Sequence, residues 1–292
     1  MNNGASPDAQ RGGRSPARGF GAGRAADPSP VEGGRPLVEG ETAASDVGSA
    51  LEERYAIYRL LARLWLWEPD ASLFAVLSGP GRPLFDAFGG TLDVARTPGP
   101  DVPGALDATD RGEHDAAEPP MAERPMAENA EQWVALASED YCRLWIGPSG
   151  HLPPYQSVWE SSQLSGAAAE SVAAYVERLR ALRQMLRRPP VEPAEAADWV
   201  VAPAEELIAT ARIAAPDHLG AELLVMSDLL ICEAAGVADC GAAAEFFRTH
   251  LTWPGELFAH SLQRAGTPFY RSVVAMTRQF VLCEAVTLAA AR

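Results

Sequence analysis

Lysine is missing from all 292 residues, and the 24 basic side chains are all arginine. Chemistry that depends on a Schiff-base lysine, a phosphate-loop lysine or a Ser-Lys dyad is therefore excluded. Cysteine is scarce: Cys142, Cys232, Cys240 and Cys283 are the four. None is spaced as CxxC, so zinc-ribbon and dithiol redox sites are ruled out, and four are too few for a disulfide scaffold. They are expected to be free and mostly buried thiols. No run approaches the roughly 18 apolar residues of a membrane span, and no apolar signal core follows the N-terminal arginines. The expectation is a cytoplasmic protein without membrane insertion. Positive charge is also short. Against 39 acids the net charge is −15, with a pI near 4.8. Such a surface repels phosphate, which argues against nucleic acid and anionic membrane and favours a basic partner.

Catalytic signatures are equally absent. The five histidines, His114, His151, His218, His250 and His260, form no HxH, HExxH or ExxH pattern, so no metal is expected. There is no GxSxG, GxGxxG or GxxxxGK. The acid pairs Glu139-Asp140 and Glu205-Glu206 are chain neighbours that point to different helix faces, unsuited to shared acid-base work. No enzyme, no catalytic residue and no cofactor are expected.

What is present divides unevenly along the chain. Residues 1–48 hold 10 of the 25 glycines, five prolines and a single aromatic, Phe20. They cannot bury enough apolar area to offset the entropy of ordering, which predicts a disordered tail. Residues 89–130 have six prolines and no aromatic, and 91–128 carries a net charge of −6. A disordered acidic insertion is expected there. The remainder, 49–88 and 131–292, carries −8 and suits one domain.

That remainder reads as helix throughout, an all-α single-domain bundle. Ser49-Ala50-Leu51-Glu52 fits a capping box, opening a helix that stops before Pro69. Asp70 caps a short helix, and Pro83–Phe88 suggests another. A helix over 131–146 carries Trp133, Ala137, Tyr141 and Trp145 at four-residue spacing and ends at Gly147-Pro148. Further helices are predicted over 167–187, 217–235, 241–250, 254–264 and 268–290. In the fourth-to-last, Leu219, Leu223, Met226 and Leu230 face inward and Asp217 is the N-cap. The connector 187–203 is long enough to permit helix exchange, so a monomer or a helix-exchanged dimer is expected.

Two segments depart from a generic bundle. After Asp140-Tyr141, Leu144-Trp145 and Gly147-Pro148 comes a stiff strip, Pro153-Pro154-Tyr155-Gln156-Ser157-Val158-Trp159. Proline there limits the entropy lost on binding, which suits a preformed recognition surface. Pro216-Asp217-His218-Leu219 then sets a carboxylate and an imidazole at a helix start, able to meet a cationic ligand.

In these residues, taken in this order with Glu222-Leu223 downstream, the chain resembles the TorD-like chaperones of bacterial molybdenum enzymes, the redox-enzyme maturation proteins. The resemblance covers 49–292 apart from the acidic insertion. Gln156 departs from it, standing where the family strip carries glutamate and removing one negative charge from the expected groove. The resemblance implies a cytoplasmic chaperone that binds the twin-arginine signal region of a molybdopterin enzyme and holds it until cofactor insertion and export. The alternative is an assembly factor for a nonexported nitrate-reductase-like subunit. The partner is the molybdopterin-enzyme catalytic subunit or its signal peptide. The peptide site expected from these motifs is Asp140, Tyr141, Tyr155, Ser157, Trp159, Asp217, His218 and Leu219. Among them, Asp217 and Asp140 supply acid, and His218 serves as a pH sensor or as a donor to a peptide carbonyl.

Overall fold

The computed structural model describes residues 39–87, 89–92, 126–147, 151–160, 166–186 and 198–290. The expected tail, apart from 39–48, lies outside these residues. So does the expected insertion, apart from 89–92 and 126–130.

Helices account for the described architecture, and no strand occurs among the described residues beyond one isolated bridge. The first helix, α1 (Glu39–Leu66), begins ten residues before the expected capping box. Ser49 therefore lies inside the helix, not at its cap. No proline stands between Glu39 and Leu66, so nothing in the sequence forces the helix to begin at Ser49. Then come α2 (Ala71–Ser78) and α3 (Arg82–Ala87). Asp70 caps α2 as expected, accepting from the Leu73 N–H at 2.8 Å. Next is α4 (Met126–Tyr141), which continues into a π-turn, Cys142–Ile146. The strip supplies the single turn α5 (Gln156–Trp159), followed by α6 (Ala167–Arg183), α7 (Asp198–Val201) and α8 (Ala204–Thr210). The chain closes with α9 (Leu219–Ala234), α10 (Ala242–His250), α11 (Gly255–Arg264) and α12 (Pro268–Ala290).

The bundle is organised around α1 and α9, which pack along one another. Every residue of α9 from Leu219 to Cys232 is buried. The one inward face expected from its leucines is therefore an underestimate: this is a central helix, covered on all sides. At Gly220 the crossing is close. A Cβ there would stand 2.5 Å from Leu66 Cγ and 3.2 Å from the Ala62 carbonyl oxygen. A charge is buried at the same interface. Asp228 of α9 pairs with Arg59 of α1, both without solvent exposure, and with Arg183 of α6 at 3.0 Å. The second Asp228 oxygen accepts from the Ala204 N–H, and Arg59 donates to the Ala202 carbonyl at 2.7 Å. This network fastens the α7–α8 connector to the core, which offsets the cost of burying the ions.

Against α1 lies α12, held by Arg54 and the Tyr58 hydroxyl, both on Glu284, and by the Trp65 indole donating to Thr277 Oγ1 at 3.0 Å. By length and composition α12 is apolar enough to cross a membrane, a helix that a search for uninterrupted apolar runs passes over. Its Phe269, Val273, Met276 and Phe280 row is buried in the core. The thiols follow the expectation only in part: Cys232 is buried and Cys142 half-buried, but Cys240 and Cys283 are exposed.

Candidate functional site

The strip reaches its place through backbone pairing. Leu219 N–H donates to the Pro154 carbonyl at 2.8 Å, and Gln156 N–H to the Asp217 carbonyl at 2.9 Å, which makes the Tyr155–His218 bridge. This docking changes the role of Asp217. Its side chain is fully buried and its Oδ2 accepts from the Ser157 N–H at 2.9 Å. It caps α5, across the junction, and not α9 as expected. The α9 cap is His218, whose Nδ1 accepts from the Gly220 N–H at 3.0 Å. Burial lowers the His218 pKa to about 3. The ring therefore stays neutral at physiological pH with its proton on Nε2, which removes the expected pH sensor and leaves a donor.

Gln156 also turns inward. It is buried, its Nε2 donates to Glu160 Oε2 at 2.9 Å and to the Thr249 carbonyl at 2.8 Å, and its Oε1 faces His250 Nδ1 at 2.9 Å. The expected effect on the charge of a groove is therefore corrected: the side chain belongs to the interior. His250 Nε2 meets Ser171 Oγ at 2.9 Å. Burial lowers the His250 pKa to about 4, so Nδ1 carries the proton and donates to Gln156 while Nε2 accepts from the hydroxyl. Nearby, burial pushes the Glu222 carboxyl well above its usual range, with the Trp253 indole bond at 2.8 Å opposing it and Asp217 and Glu160 adding to it.

Asp140 has a different neighbourhood. It accepts from the Gly266 and Thr267 N–H groups, from Thr267 Oγ1 and from Arg143. This joins the end of α4 to the start of α12. Trp159 donates its indole N–H to the Pro153 carbonyl at 2.7 Å and stacks on His260.

A cleft of about 260 Å³ opens beside the strip. Of the expected site residues, Tyr141, Tyr155 and His218 line it; Asp140, Ser157, Trp159, Asp217 and Leu219 do not. Tyr155 presents its ring edge to His218 at 5.1 Å, and its hydroxyl accepts from the Ala214 N–H at 2.9 Å. Trp145 forms the floor with Tyr141, the rings 5.2 Å apart and edge-to-face, and Tyr141 donates to the Trp65 carbonyl at 3.2 Å. The other walls were not anticipated: Leu66, Trp67 and Glu68 at the end of α1, Ile146 of the π-turn, and Thr210, Arg212 and Ile213 after α8. The Trp65-Leu66-Trp67 cluster just before Pro69 is the one signal in the sequence that marks the first of these. Among the described residues no cluster of three or more His, Cys, Asp or Glu is arranged to hold a metal.

The family model described as nitrate reductase delta subunit matches residues 113–259, half of the chain. The match contains the π-turn, the strip, the Pro216–Leu219 junction and the central helix α9. No curated protein and no solved structure matches the chain. The partner this family implies is a molybdoenzyme subunit of the nitrate-reductase type. All-helical, with the strip motifs docked on α9 beside an aromatic cleft, the chain belongs to the nitrate reductase delta subunit family, the maturation chaperones of molybdoenzymes.

Proposed function

We propose that this chaperone holds its molybdoenzyme client in the cytoplasm by the client's N-terminal signal region, releasing it for export once cofactor is loaded. A twin-arginine signal joins a basic stretch to an apolar, helix-forming one, which calls for an apolar groove on an acidic protein. The observation that carries this reading is the aromatic cleft between the strip, the π-turn and the end of α1. The chain's net charge of −15 attracts the basic stretch at longer range. Tyr141, Tyr155 and His218 are the contact residues, with the His218 Nε2 proton available to a peptide carbonyl. Asp217 and Leu219 hold the strip from behind through Ser157 and Pro154, Trp159 folds back on Pro153, and Asp140 acts at a distance by tying the end of α4 to the start of α12. A nonexported client would offer the same cleft an apolar segment without the arginine pair, so the client's own N-terminus separates the two cases.

The test is titration of the full chain with a labelled twin-arginine peptide at low and high salt, with thermal melts alongside. Tyr155→Ala is expected to weaken binding about tenfold at either salt, because the lost contact is apolar. Asp217→Asn keeps an oxygen for the Ser157 N–H and has no surface to offer a client, so its affinity should match the parent within about threefold. Parental affinity in a well-folded Tyr155→Ala protein would take the cleft out of this reading.

A further inference from the structure

The mouth of the cleft is shaped by an irregular turn. Past Tyr141 the helix leaves α geometry, and Gly147 N–H donates to the Cys142 carbonyl five residues back at 2.6 Å. In a continued α-helix Ile146 would stack over Cys142. Here Gly147 takes that place and Ile146 is pushed out of the stack. The closure is tight: a Cβ on Gly147 would stand 3.2 Å from the Cys142 oxygen. A second bond, Leu152 N–H to the Leu144 carbonyl, ties the turn to the approach of the strip.

The displaced side chain is left in the open. Leu144 and Trp145 are buried, but Ile146 is 60 % exposed. Of the exposed large apolar side chains among the described residues, Val158, Met185, Leu282 and Val286 do not line the cleft, and Ile146 does. π-Turns are frequent at functional sites, and this one leaves an aliphatic side chain at the edge of the cleft. The charged residues lining the cleft are Glu68 and Arg212, which cancel. The rest is aromatic and aliphatic apart from Thr210 and the neutral imidazole of His218. The complement of such a lining is an uncharged apolar segment, and 260 Å³ takes a few aliphatic side chains, as many as one face of a helical turn presents.

We propose that Ile146, put forward by the π-turn, selects the apolar segment of the client, packing on aliphatic side chains spaced i, i+3 and i+4. This rests on the reading of the cleft as the client site. The experiment titrates the full chain by fluorescence anisotropy with two labelled synthetic peptides. Both carry an arginine pair; one has leucines at i, i+3 and i+4, the other glutamines. The parent should prefer the leucine peptide by about tenfold or more. Ile146→Asp should abolish the preference, Ile146→Ala should reduce it about threefold, and Ile146→Leu should retain it, all without change in affinity for the glutamine peptide. If Ile146→Asp keeps the parental preference while Tyr155→Ala loses it, Ile146 has no selective role and the cleft remains the client site. If both variants keep the preference, the cleft is not the client site and the two readings fail together. If Ile146→Asp melts early, the Ile146→Ala and Ile146→Leu pair decides: equal preference in the two overturns the proposal.

Discussion

Replacing Gln156 with glutamate exchanges a donor for an acceptor at a buried junction. The parental amide donates to Glu160 and to the Thr249 carbonyl and accepts from His250, with bonds of 2.8 to 2.9 Å. In Gln156→Glu the two donated bonds are lost. The Thr249 carbonyl is left facing an oxygen, and Glu160 faces a second carboxylate. Half-exposed Glu160 can swing toward water, but the Thr249 carbonyl cannot. One unsatisfied buried acceptor and one like-charge contact, partly offset by a charge-assisted bond from His250, come to about 2–4 kcal/mol of lost stability at pH 8. The sign with pH follows from where the new proton sits. The buried carboxyl and the His250 ring beside it both have folded pKa values raised by the substitution. Their protonated forms support the fold at low pH, and this support is lost as pH rises. The deficit should therefore fall to about 1 kcal/mol or less at pH 5.5. Chemical denaturation of parent and variant at the two pH values measures it. A deficit that is the same at both, or absent at pH 8, would refute the placement of Gln156 in the interior and with it the inward docking of the strip.

Gly220→Ala sets a methyl group against Leu66 and the Ala62 carbonyl, with 2.5 Å to Leu66 Cγ. It should lower stability by about 1–3 kcal/mol in a denaturant melt, and since Leu66 lines the cleft, peptide affinity should fall as well. In the parent, the His250 ring gains its proton near pH 4 when folded but near 6.5 when unfolded. Its contribution is complete above pH 6.5 and is lost as pH falls toward 4. His250→Asn keeps a donor for Gln156 and should remove about 2 kcal/mol of the parent's stability loss between pH 7.5 and pH 5. The Glu222 carboxyl titrates with the opposite sign but is common to both proteins, so it cancels in the comparison of their melts.

The helical class, the run of helices and most of their stops were legible in the sequence because those features are local. Four-residue spacing of Trp133, Ala137, Tyr141 and Trp145, Asp70 before an apolar turn, and Gly147 after Ile146 each declare themselves within a few residues. The strip and the Pro-Asp-His junction also stood out as motifs, but the sequence could not say which way their side chains face. That was settled by the docking of 154–156 on 217–219, which spends the Asp217 carboxylate on the α5 amide and turns Gln156 to His250. The acid of the motif thus became a support, while the imidazole caps α9 through Nδ1 and still lines the cleft. The cleft itself draws on residues far apart in the chain, from Leu66 to His218, and no periodicity links the end of one helix to the end of another. The Arg59–Asp228 pair is hidden for the same reason. An arginine and an aspartate on helical surfaces look like solvent-facing charges until tertiary packing places α9 at the centre and closes them into a buried network with Arg183 and the α7–α8 connector.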